Sequence, residues 1–66
     1  MADKTVTNLV SAIQHEEEAV SNYLQWCAEA DEPHIEEMFR QFAKNESWHL
    51  AALQEKLQQL GEEKTE

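Results

Sequence analysis

The sequence predicts an all-α protein: an antiparallel two-helix hairpin that dimerises into a four-helix bundle. Apolar residues recur at three- and four-residue spacing through two long segments, which is the period of a helix face. One proline and one glycine punctuate the whole chain, so there is room for a single sharp break. Strict alternation is absent, and the segments are rich in Ala, Leu, Glu, Gln and Lys, which favour helix over strand.

The first helix is expected over about residues 5–30, with Thr5 or Thr7 as its cap. Val6, Leu9, Ile13, Glu16, Val20, Tyr23 and Cys27 form its stripe, widened by Val10 and Leu24. The turn falls at 31–32, where Asp31 or Glu32 stands at the N-cap and Pro33 at the first helical position. The second helix is expected over about 33–60. Its stripe is Ile35, Phe39, Phe42, Glu46, His49, Leu53 and Leu60, with Met38, Leu50 and Leu57 beside it. Gly61 reads as a C-terminal stop, followed by a frayed tail over 61–66. The whole chain, residues 1–66, reads as one domain.

A chain of 66 residues buries too little surface to be comfortably stable alone. Its single cysteine, Cys27, excludes an internal disulfide, which leaves metal, oligomerisation or both. Both stripes are wide, and one hairpin cannot cover both, so a dimer at least is expected. The net charge is −9, from 14 acidic and 5 basic residues. The basic residues do not cluster, which argues against nucleic acid or an anionic membrane as partner. No basic and apolar leader opens the chain and no apolar run approaches a membrane span; the cytoplasm is the default compartment.

Three stripe positions hold residues that do not belong in an apolar core: Glu16, Glu46 and His49. A buried charge is costly unless it is paired or bound to metal. With the turn near residue 32, Glu16 lies 16 residues before it, and Glu46 and His49 lie 14 and 17 after it. At about 1.5 Å per residue, all three sit within one helical turn of a common level, roughly 24 Å from the bend. One hairpin supplies two carboxylates and one imidazole. A two-fold antiparallel dimer supplies four Glu and two His, with the second Glu and the His at i, i+3, which is the ligand set of di-iron carboxylate bundles. The competing reading of Glu-x-x-His is a solvated face or a capping contact; what opposes it is that all three residues are on the stripe and level.

At these residues the sequence resembles the ferritin-like superfamily. Glu16-Glu17-Glu18-Ala19-Val20-Ser21-Asn22-Tyr23 is similar to the Glu-x-x-Ala-x-x-x-Tyr helix of rubrerythrins, and Phe42-Ala43-Lys44-Asn45-Glu46-Ser47-Trp48-His49 to their Ala-x-x-Glu-x-x-His helix. A narrower resemblance is to the encapsulated ferritins, two-helix half-ferritins whose ferroxidase centre forms on dimerisation; it runs from about residue 13 to 57 through the Glu32-Pro33 turn. It implies Glu16, Glu46 and His49 as iron ligands, Tyr23 as the tyrosine beside the centre, and Glu18 as an acid of an outer uptake site. This chain has His15 where that family carries a second acid of the uptake site, and Asn22 where it usually carries Trp. The resemblance further implies a decameric ring of dimers inside an encapsulin nanocompartment, although the family's shell-docking extension has no counterpart after Gly61.

Other residues have blander readings beside the sharper ones. Tyr23 is either a core aromatic or a hydrogen-bond and electron donor beside iron. Trp26 and Trp48, off the strict seam, suit packing between dimers better than redox relay. Cys27 is a small apolar filler and His34 faces solvent. Glu29, Glu36, Glu37 and Glu55 form a solvated face. His15 and Glu18, at i, i+3 on one flank, could hold an accessory metal. The expected activity is a ferroxidase with a di-iron centre. The alternatives are a rubrerythrin-like peroxidase, a manganese or zinc bundle, or a non-enzymatic oligomerisation module whose polar core fixes register.

Overall fold

The computed structural model describes residues 4–64, with side chains to residue 62. Helix α1 spans Lys4–Glu29 and helix α2 spans Pro33–Lys64. They lie antiparallel in a rod of 52 × 17 × 12 Å, the length expected for 32 helical residues at about 1.5 Å each. The described residues contain no strand. None of the helices is long and apolar enough to cross a membrane.

Of the two candidate caps at the turn, Glu32 takes the role. Its two carboxylate oxygens accept from the His34 N–H at 3.1 Å and the Ile35 N–H at 2.9 Å, donors that have no intrahelical partner. Its carbonyl accepts the first intrahelical bond of α2, from the Glu36 N–H at 3.0 Å. Pro33 occupies the first position, where its missing N–H costs nothing. The end of α1 tightens, with the Ala30 N–H donating to the Cys27 carbonyl at 3.3 Å. The Cys27 thiol donates to the Glu36 carbonyl at 3.4 Å, tying the close of one helix to the start of the next.

Two expectations at the chain ends do not hold. Helix α1 is already formed at Lys4, so Thr5 and Thr7 lie inside it and do not cap it. Helix α2 continues through Gly61 to Lys64. Gly61 does not adopt the left-handed conformation of a helix stop. It is flanked by good helix formers, and Gln58 donates to Glu62 at 3.4 Å across it, so the glycine's cost of about 1 kcal/mol is absorbed. Of the tail read as frayed, residues 61–64 are helical and 65–66 lie outside the described residues.

The seam between the helices is thin. Among the described residues only Ala43 is buried, at 4% exposure. Ile35, Met38, Phe42 and His49 follow 3-, 4- and 7-residue spacing along one stripe of α2, and the three apolar members are exposed. Val10 and Leu24 are exposed along one flank of α1. The hairpin thus leaves much of its apolar stripe in water, which fits a unit that is incomplete alone.

A cluster of four aromatic rings fastens the bend-proximal half. Tyr23 meets Trp26, Phe39 and Phe42 at centroid separations of 5.7, 6.2 and 5.4 Å, and Trp26 meets Phe39 at 5.8 Å. Trp26 therefore packs within its own chain, a contact that reading it as an off-seam residue misses. Trp48 is 65% exposed, with the Lys44 ammonium 5.6 Å over its ring. On the outer face Arg40 pairs with both Glu36 and Glu37.

Candidate metal centre

Helix α1 contributes Glu16 and helix α2 contributes Glu46 and His49. The antiparallel register brings them to one level because they lie at nearly equal distances from the turn. One ligand atom from each of the three lies within 4.8 Å of the others. His49 Nδ1 is 3.7 Å from Glu46 Oε1, with the imidazole 64% and the Glu46 side chain 25% exposed.

The electrostatics of Glu16 show what this proximity does. Its Oε2 is shielded from solvent and receives no hydrogen bond. The Glu16 pKa is raised from its ordinary value of 4.5, first by hydrogen bonding with the Glu46 carboxyl, then by desolvation and by the Glu46 charge, against lowering contributions from His49 and His15. Two carboxyls can share a hydrogen bond only when one holds a proton. Without a cation, the pair therefore tends to keep a proton that two separated carboxylates would release.

This donor set fits a metal. Glu16 carries an orphaned Oε2, one of its carboxylate oxygens lies within 4.8 Å of donors from Glu46 and His49, and Glu, Glu and His suit iron, manganese or zinc. The set comes from one helix bearing Glu and one bearing Glu-x-x-His, which is half the arrangement of the di-iron carboxylate bundles.

The other residues read as candidates occupy the adjoining flank of α1. A surface cleft of about 220 Å³ is lined by His15, Glu18, Ala19, Asn22, Tyr23 and Trp26. His15 and Glu18 thus share a cleft, and neither belongs to the three-residue donor group. Tyr23 borders the cleft and meets Phe42 edge to face, one helical turn before Glu46. The Tyr23–Phe42 contact joins the two helices and is invisible in either stripe alone; its only sequence signal is the similar distance of both residues from the turn. Cys27 is half-buried and His34 is exposed.

Neither a curated protein nor a solved structure matches the chain. The Rubrerythrin family profile matches residues 7–66. That span covers α1 from residue 7 onward, all of α2 and all three donor residues, and it implies iron binding by a ferritin-like helical domain. With two helices, no strand among the described residues and a carboxylate–histidine group between the helices, the chain belongs to the rubrerythrin family.

Proposed function

We propose that the protein is a ferroxidase that binds two Fe(II) ions between two hairpins and oxidises them, for iron storage or detoxification. The observation that carries this reading is the convergence of Glu16, Glu46 and His49 within 4.8 Å at one level of the hairpin. Three donors leave an octahedral ion half-coordinated. A second copy related by a two-fold axis brings its own three donors and its own ion, so that carboxylates can bridge the two ions and raise the coordination of each, and it covers the exposed stripe of Ile35, Met38 and Phe42. Four carboxylates then neutralise two divalent ions.

Fe(II) is the substrate. Each ion gives up one electron. With dioxygen as acceptor, a pair of ions delivers two electrons and, with two protons, yields hydrogen peroxide. The chain's residues do three things. Glu16 and Glu46 bind and space the two ions; their carboxylates change binding mode easily, which accommodates both oxidation states. His49 is a terminal ligand, and its exposure leaves a position open towards solvent for the oxidant. Tyr23, held by three aromatic neighbours, closes the bend side of the site against water. His15 and Glu18 in the adjoining cleft attract incoming cations. Within this reading a ring of dimers and an encapsulin shell are the larger assembly, because one dimer has no cavity for ferric mineral.

Membership of the rubrerythrin family supports a second reading equally, a peroxidase. There hydrogen peroxide takes the two electrons and two protons and yields two waters. Stopped-flow comparison of the two oxidants separates the readings: a rate that is much faster with peroxide than with dioxygen favours the peroxidase.

The test of the shared core is anaerobic loading with Fe(II), then air, with ferric absorbance followed over time. The Glu16→Ala/His49→Ala double variant should lose the protein-dependent rate. Oxidation at the unmodified rate in that variant contradicts the assignment.

A further inference from the structure

We infer that copies of this chain dock knob into socket: Trp48 of one copy seats in the cleft beside Trp26 of another, with Lys44 brought against Glu18. The contact goes beyond the ferroxidase reading. It uses none of Glu16, Glu46 and His49, and it is separate from the stripe of Ile35, Met38 and Phe42.

The knob is a side chain with no place in its own hairpin. Trp48 is 65% exposed, the most exposed of the large apolar side chains described. It lies two residues after Glu46, and Lys44 two before. Each is therefore about 200° round the helix from Glu46, so both turn away from the seam with α1. Closing the apolar stripe against a partner leaves Trp48 in water. An exposed indole offers a large rigid area with few rotors to freeze, and Trp anchors interfaces for that reason. The Lys44 ammonium, 5.6 Å over the ring, gives the knob a positive charge.

The socket matches the knob in size, shape and charge. Its volume is about 220 Å³. A cavity of about 150 Å³ holds benzene, and whole small-molecule ligands occupy roughly 300–1,000 Å³, so the cleft suits one aromatic side chain. Tyr23 and Trp26 meet there at 75° with centroids 5.7 Å apart, and Trp26 is 43% exposed. A third ring entering that corner lies face to one ring and edge to the other, arrangements that aromatic pairs prefer. The polar lining is His15, Glu18 and Asn22, with no Lys or Arg. An indole N–H can only donate and an ionised carboxylate can only accept, so Glu18 suits the Trp48 ring. Lys44 arrives with the indole and faces the same carboxylate. Copies carrying −9 repel at a distance, and a local cation meeting a local acid sets where contact occurs.

Knob and socket sit on different helices, and each copy offers one of each. The contact closes by mutual exchange between two copies or in a ring, or it runs on as a filament. One Trp buries about 150–250 Å², far below the roughly 1,200–2,000 Å² of a stable interface. A single contact is therefore weak, and association through it depends on concentration. Docking also covers His15 and Glu18, so a seated knob and a cation held by those two residues exclude each other.

Sedimentation equilibrium of the full chain over a wide range of concentration, in chelator, tests this. The average mass should rise with concentration. Trp48→Ala, with unchanged helical circular dichroism, should weaken that association at least tenfold, as removal of a central Trp anchor does. Lys44→Glu and Glu18→Lys should each weaken it, and the two together should restore it, because the exchanged pair still attracts. A chain that stays monomeric at the highest concentration overturns the inference, and so does a mass that Trp48→Ala leaves unchanged. Weakening by Trp48→Ala without recovery in the charge exchange places the Trp48 contact elsewhere and overturns the socket. Should Trp48→Ala lose its helix, the charge exchange decides alone. None of these outcomes depends on iron, so the metal centre stands or falls separately.

Discussion

Glu16 is placed against Glu46 with no fixed donor on its Oε2, and its pKa lies above the ordinary 4.5, chiefly through the hydrogen bond with Glu46. A carboxyl with a raised folded-state pKa stabilises the fold fully below its unfolded value, and that contribution is lost as pH rises through the folded value. Glu16→Gln keeps the shape, donates to the Glu46 carboxylate and does not titrate. The metal-free variant should therefore match the unmodified chain below about pH 4.5 and melt at a higher temperature above it, the gap widening through the mildly acidic range. Thermal melts in chelator over that range check the sign; a gap of the opposite sign excludes the carboxyl contact. The same substitution should lower cation affinity at least tenfold, so one change moves metal-free stability up and metal binding down. The trio was legible in the sequence because polar residues on an apolar stripe are conspicuous. The aromatic cluster was not. Tyr23, Trp26, Phe39 and Phe42 are ordinary apolar positions until the register of the two helices sets which rings meet.

Within the helices, the sequence is a sound guide where a side chain has a specific backbone partner, and a poor one where a residue type only biases conformation. Pro33 and the acidic residues before it mark the start of α2 unambiguously, and Glu32 makes the cap. Removing it by Glu32→Ala should cost about 1 kcal/mol, visible as a lower chemical-denaturation midpoint with an unchanged slope. Gly61 only permits a stop, and the helix passes through it to Lys64. An added Cβ there would meet nothing within 4 Å, and the backbone is not left-handed. Gly61→Ala should accordingly stabilise, by up to about 1 kcal/mol, with increased helical circular dichroism. A loss of stability of similar size would place Gly61 at a left-handed helix end, as the sequence alone suggests.

At the scale of the whole molecule, a hairpin with one buried residue among those described, Ala43, and a row of exposed large apolar side chains has little core of its own. Length and a single cysteine lead to the expectation of a metal or a partner, because small chains without disulfides need one or the other. What would complete it is not readable at the level of contacts, since the stripe positions say which face is apolar and not what covers it. Chelation should destabilise the assembled protein, and added Fe(II) should raise its melting temperature with the concentration dependence of a ligand that binds the native state alone. The most direct test of the central claim is the native mass of the protein loaded with Fe(II) without oxygen. Two irons for every two chains are expected, lost together when Glu16 and His49 are replaced by Ala. Chains that pair fully without iron and take none up at saturation would contradict it.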